Sequence, residues 1–165
     1  MLLDKDQLVI NPPLQNEEYH YVTRPSYVEF DDCCNEFWWV STYVVKGICR
    51  EQFINAAGFI HRILRRELLR MLSWKISVEA GSPVNLGFHY RYLEEHVSPE
   101  IWNRLVATYN LENYDKLWDS LFECQQLFRE VSKEVADELG FVYPDYDENI
   151  TAYIKDIYET QVEQL

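Results

Sequence analysis

The sequence predicts an all-α fold, a bundle of five to six helices preceded by a short extended N-terminal segment. Three observations carry this prediction. Hydrophobic residues make up 47% of the 165 residues, enough to bury a core without covalent staples. From Ser26 onward apolar residues recur mostly at spacings of three and four, the period of an amphipathic helix. Only 5 glycines and 6 prolines are present, too few for a turn-rich all-β domain. Residues 1–25 lack the helical period and read as an extended segment and linker. Residues 26–165 read as one helical domain.

The elements follow in order. Leu2-Leu3 and Leu8-Val9-Ile10 are short apolar pieces broken by Asp, Lys and Pro12-Pro13, as expected of one or two strands and a loop. Pro25 blocks helix behind it, Ser26 is an N-cap and Glu29 completes a capping box. The first helix is expected from about Tyr27 to about Val45, ending near Gly47. A second is expected from about Arg50 to Glu79, stopped by Gly81-Ser82-Pro83. A short helix around Tyr90–His96 follows, then one opened by Ser98-Pro99. Asn113 to Leu139 carries the clearest amphipathic pattern: Leu117, Leu121, Cys124, Leu127, Phe128, Val131 and Val135, closed by Gly140. The last helix is expected over about Glu148–Thr160, started by Pro144-Asp145-Tyr146-Asp147.

Composition excludes several function classes. There are 15 basic and 28 acidic residues, a net charge of −13. Such a surface disfavours nucleic-acid binding through phosphate neutralisation. No run of 18 apolar residues exists, so no membrane span is expected, and the N-terminus lacks the features of a signal peptide. Cys33, Cys34, Cys49 and Cys124 form no CxxC pair and are expected as buried thiols of a cytoplasmic protein. No hydrolase elbow, HExxH or Gly-rich phosphate loop is present. Gly81-Ser82 runs into Pro83-Val84-Asn85, not into paired aspartates.

The first helix holds the most informative pattern. Asp32, Glu36, Trp39, Tyr43 and Lys46 fall on one stripe of the helix wheel. Phe30, Cys33, Phe37, Val40 and Val44 fall on the other side as a core stripe. Two carboxylates, two aromatics with polar handles and a terminal lysine suit a polyhydroxylated cationic small molecule. Carboxylates would pair with its amino or guanidino groups and aromatic faces would cover its rings. The same pattern also fits a plain helix surface, because early carboxylates complement the helix dipole. His61 has no partner at catalytic spacing and reads as a surface or satisfied core residue. His89, Tyr90 and Arg91 stand where a loop enters a helix, lining a cleft or simply forming the loop. Arg62, Arg65 and Arg66 are expected to be salt-bridged in so acidic a chain. Asp145-Tyr146-Asp147-Glu148 lacks EF-hand spacing and reads as a helix cap.

The stretch Phe30–Gly47, FDDCCNEFWWVSTYVVKG, closely resembles the aminoglycoside 6-adenylyltransferases, also called streptomycin adenylyltransferases. Supporting pieces recur in order: LLDKD at Leu2–Asp6, ELLRMLSWK at Glu67–Lys75 and YPDYDE at Tyr143–Glu148. The resemblance implies the C-terminal helical half of a bipartite enzyme. Residues 1–25 would then be the trailing strand and linker of a nucleotidyltransferase domain that the sequence does not otherwise contain. In that domain a Gly-Ser turn and three aspartates hold magnesium and the ATP phosphates. The resemblance implies ATP and Mg2+ for the complete enzyme, and no cofactor bound by this chain alone. The partners it implies are a streptomycin-like cationic aminoglycoside and the nucleotidyltransferase domain, in cis or in trans. It implies that Asp32, Glu36, Trp39 and Tyr43 face the antibiotic, with Asp32 or Glu36 as a possible general base, and that Lys46 reaches the nucleotide. Gly87–Tyr92 departs from the lysine-rich version expected in relatives. Exposed Leu2, Leu3 and Val9 on an unpaired strand would favour a homodimer. The competing reading is a helical protein-interaction module without ligand binding.

Overall fold

A computed structural model describes residues 20–162. The strands expected at Leu2-Leu3 and Leu8-Val9-Ile10 lie outside the described residues. The body is a helical bundle, as its apolar period requires.

The first helix, α1 (Tyr27–Cys49), starts where the capping box places it. Ser26 Oγ accepts from the Glu29 amide at 3.3 Å, and the Glu29 carboxylate accepts from the Ser26 amide at 2.8 Å. These bonds satisfy two amides that a helix start otherwise leaves open. The expected end near Gly47 is corrected: the helix runs through it to Cys49. A Cβ on Gly47 would lie 3.0 Å from Ala56 Cβ and 3.2 Å from the Ala56 backbone. This glycine therefore serves a close helix crossing, not a stop. The chain reverses instead at Arg50 and Glu51, whose φ is 55°.

The expected single helix from Arg50 to Glu79 is also corrected. It begins only at α2 (Phe53–Phe59), passes through a π turn (Ile60–Leu64) and continues as α3 (Arg65–Ala80). The wider turn keeps both Ile60 and Leu64 in the core and turns Arg65 inward. Gly81, with φ 64°, ends α3 as expected. Two short strands then pair, which the sequence did not reveal. β1 (Tyr21–Val22) lies antiparallel to β2 (Val84–Asn85), with Tyr21 opposite Asn85.

The helix expected at Tyr90–His96 is replaced by two 3₁₀ turns, Phe88–Tyr90 and Leu93–Glu95. Gly87 (φ 69°), His89 (φ 53°) and Tyr90 (φ 59°) are left-handed and break any α-helix there. A Cβ on Gly87 would also come within 2.8 Å of the Tyr92 ring. The Ser98-Pro99 start holds for α4 (Pro99–Ala107), where Ser98 Oγ accepts from the Ile101 amide at 3.2 Å. Asn113 caps α5 (Tyr114–Leu139) and Gly140 closes it. The last helix, α6 (Tyr146–Val162), starts two residues before the expected Glu148.

α5 packs along α3 and also against α1 and α4. All five residues of the α1 core stripe are buried, and Phe37 stacks on Phe128 of α5 at 3.8 Å. Every apolar position expected on the inner face of α5 is buried. Cys33, Cys34 and Cys124 are buried free thiols, but Cys49 is exposed and corrects the expectation for that residue. It sits on the last turn of α1, about 100° around the helix from buried Ile48. No helix among the described residues is long and apolar enough to cross a membrane.

Candidate functional site

The stripe residues of α1 occupy one face, because the opposite face is consumed by the core. Asp32 and Lys46 are exposed, and Glu36 and Tyr43 are half-buried. Trp39 keeps 59% of its surface exposed, a large apolar area to leave in water. The Tyr43 ring lies 6.1 Å from Trp39 and 5.6 Å from Phe59 of α2. Lys46 Nζ stands 4.7 Å above the Tyr43 ring, a cation–π contact. The face thus runs from carboxylates, through an aromatic pair, to a cation.

α3 borders the acidic end. Glu36 Oε1 is 4.0 Å from Arg66 Nη2. Arg66 is held more tightly by Glu67, at 2.7 Å, and Arg70 Nη1 reaches the same carboxylate at 3.4 Å. Glu67 is only 2% exposed, and a buried carboxylate requires such partners. Cys33 Sγ donates to the Glu67 carbonyl, tying α1 to α3. Burial pushes the Tyr90 hydroxyl pKa up, and the Glu67 carboxylate adds to this. Carboxylates and guanidinium groups therefore alternate along this edge.

The expected salt-bridged cluster of Arg62, Arg65 and Arg66 is corrected in part. Arg66 is ion-paired as expected. Arg65 is buried at 2% exposure and has no carboxylate partner among the described residues. Its guanidinium donates to the Thr108 carbonyl and, at 3.2 Å, to Thr108 Oγ1. Thr108 is the C-cap of α4, where the helix dipole is negative. The Tyr109 ring lies 3.7 Å from the guanidinium carbon. His61 is exposed and its Nδ1 accepts from Arg65 Nη1 at 2.8 Å. Arg62 Nε bonds the Gly58 carbonyl at 3.5 Å.

One polar group of consequence was invisible as such in the sequence. Asp147, read there only as part of a helix cap, is 2% exposed. It accepts from Arg129 Nε at 2.9 and 2.7 Å, from Tyr143 Oη at 2.7 Å and from Thr151 Oγ1 at 3.2 Å. Trp38 Nε1 in turn donates to Tyr143 Oη at 3.1 Å. Burial pushes the Asp147 carboxyl up, but the bonds from Arg129 and Tyr143 outweigh it and hold the pKa below the ordinary Asp value. This knot joins α1, α5 and α6, and it sets the rotation of α1 at the residue beside Trp39. A YPDYD run preceding a helix, with an arginine on the preceding one, is the signal that could have found it.

Asp32, Glu36, Trp39, Tyr43 and Lys46 line none of the four best-formed cavities of the described residues. The stripe is an open wall. His89 and Tyr90 help to line a cavity of about 310 Å³ between α3 and α4, so the cleft alternative holds for those two and not for Arg91. No group of three or more Asp, Glu, His or Cys side chains among the described residues is placed to hold a metal ion. The residues present do not fit Mg2+, and no metal-borne step is assigned to them.

The chain matches the streptomycin adenylyltransferase family model over residues 1–157. It is 45% identical over 154 residues to the aminoglycoside 6-adenylyltransferase of Campylobacter jejuni, covering 93% of this chain and 54% of that protein. It is 43% identical over 158 residues to the aminoglycoside 6-adenylyltransferase of Bacillus subtilis (strain 168), covering 96% and 56%. A crystal structure of an aminoglycoside 6-adenyltransferase from Bacillus subtilis superposes with a TM-score of 0.78, covering 92% of this chain and 57% of that one. The chain thus spans about half the length of the curated relatives it matches. With a match that covers nearly all of its residues, the chain belongs to the streptomycin adenylyltransferase family.

Proposed function

We propose that this chain is the antibiotic-binding helical part of an aminoglycoside 6-adenylyltransferase that acts on a streptomycin-like cation. Asp32 and Glu36 pair with its guanidinium or ammonium groups. Trp39 and Tyr43 cover its ring faces, and Lys46 turns toward the nucleotide phosphates. Asp32 or Glu36 serves as general base for the accepting hydroxyl once the nucleotide is in place. The observation that supports this reading most is the α1 face itself, which leaves two carboxylates and a largely exposed tryptophan free of core packing. ATP as AMP donor and Mg2+ belong to the complete enzyme. Nucleotidyl transfer requires a metal to neutralise the triphosphate, and this sequence has no Gly-Ser turn followed by paired aspartates. The chain alone therefore transfers no AMP.

Calorimetric titration of streptomycin into the chain, at low and moderate salt, tests the reading. Saturable binding that weakens with salt and with Asp32→Asn or Glu36→Gln is expected. Equal affinity in wild type and both variants refutes the assignment of the carboxylates, and no binding at all favours an interaction module. Incubation with ATP, Mg2+ and streptomycin should leave the drug mass unchanged; a gain of one AMP refutes catalytic incompetence.

A further inference from the structure

The close crossing at Gly47 does more than pack two helices. A Cβ there would lie 3.0 Å from Ala56 Cβ, so α1 and α2 run almost in contact at this level. One turn away, the crossing brings Phe59 of α2 beside Tyr43 of α1, with ring centroids 5.6 Å apart. The Tyr43 ring is also 6.1 Å from Trp39. Three rings thus adjoin in a run that spans both helices, each neighbouring pair within the range of aromatic contact. The core phenylalanines of this fold differ: Phe30, Phe37 and Phe128 are fully buried, whereas Phe59 is half-buried. Cations bound the run. Lys46 Nζ stands over the Tyr43 ring, and Arg66 Nη2 lies 4.0 Å from Glu36, one turn before Trp39. Arg62, one turn on from Phe59, is folded back toward the Gly58 carbonyl, 3.5 Å from its Nε. A cationic ligand on the α1 face therefore meets like charge at Lys46 and at Arg66, and the uncharged strip between them is Trp39, Tyr43 and Phe59.

We infer that Phe59 is a ligand-contact residue, the third ring of the wall on which the antibiotic lies. The inference rests on the reading of the α1 face as the site for a streptomycin-like cation, and it extends that site from one helix to two. The charged groups of the ligand are held at Asp32 and Glu36, while a ring of the ligand lies across Tyr43 and onto Phe59. An uncharged aromatic ring adds affinity without pairing a counter-charge. Its contribution therefore depends far less on salt than that of a carboxylate, and the two kinds of contact can be told apart.

The test titrates streptomycin calorimetrically into the full 165-residue chain and into its Phe59→Leu variant, over a range of salt. Leucine keeps an apolar side chain beside Tyr43 and removes the ring. Affinity should fall about threefold to tenfold, the range of one aromatic contact, with the salt dependence unchanged. Asp32→Asn should instead flatten the salt dependence. Phe59→Tyr, which keeps the ring, should bind within about twofold of wild type. Contact is read directly from nuclear Overhauser effects between isotope-labelled phenylalanine rings of the chain and streptomycin protons. A cross-peak present in wild type and lost in Phe59→Leu is expected. Equal affinity in Phe59→Leu, or no such cross-peak, overturns the inference and leaves the carboxylate assignment standing. Weaker binding with an altered salt dependence also overturns it, because the substitution would then act by displacing the α1 carboxylates. Absence of saturable streptomycin binding in wild type overturns the reading of the α1 face, and this inference with it.

Discussion

Replacing Asp147 with Asn isolates the charge at the centre of the knot that joins α1, α5 and α6. The side chain keeps its shape but loses its charge, and an amide NH2 then faces the Arg129 guanidinium, donor against donor. Breaking a buried ion pair costs about 3–5 kcal/mol. Arg129 retains 26% side-chain exposure, so water can partly recover its charge and the cost lies at the lower end, about 3 kcal/mol. For a domain of this size each kcal/mol moves Tm by about 2–4 °C, so thermal unfolding followed by circular dichroism should show a fall of about 6–12 °C at neutral pH. The pH dependence has a defined sign. A depressed carboxyl contributes stability that is complete above its unfolded pKa of about 3.9 and is lost as pH falls through the folded value. The gap between wild type and variant should therefore close in acid. Melting within about 2 °C of wild type at neutral pH would refute the knot as a stabilising unit. So would a gap that widens on acidification.

Three further outcomes follow from particular contacts. Gly47→Ala forces α1 and α2 apart at Ala56 and should lower the urea midpoint by the equivalent of about 1–3 kcal/mol; an unchanged midpoint would mean the crossing yields freely. Arg66→Gln keeps a donor for Glu67 but frees Glu36 of its guanidinium, and should tighten streptomycin binding up to about fivefold, the range of a surface ion pair; weaker binding would mean Arg66 itself holds the drug. Ellman's reagent should titrate Cys49 alone in the native protein, since burial pushes the Cys34 thiol up to about 12 and Cys124 up to about 11, with Cys33 raised further still. Reaction of a second thiol before denaturation would show that the core opens.

What the sequence reveals and what it conceals divide along range of interaction. The capping box at Ser26 and Glu29, the Ser98-Pro99 start and the glycines at 81 and 140 are decided by atoms within four residues of each other, so local rules read them. The α1 wheel is equally local: once Phe30, Cys33, Phe37, Val40 and Val44 face the core, the positions of Asp32, Glu36, Trp39, Tyr43 and Lys46 follow from the helical period. Failures occur where the deciding atom is distant in sequence. Gly47 looks like a helix stop until Ala56 is brought against it, and Arg65 looks like one of a cluster until Thr108, 43 positions away, captures it. Asp147 looks like a cap until Arg129, 18 positions back, reaches it through the α5–α6 turn. The left-handed pair His89 and Tyr90 had no local signal either, since neither residue is a glycine; packing of the 87–95 turns must hold them there against their own preference. The same division bears on function. The α1 face was legible because a surface stripe needs only one helix, whereas the approach of Arg66 to Glu36 needs α1 and α3, and the Asp147 knot needs α1, α5 and α6, so both emerge only when those helices are assembled.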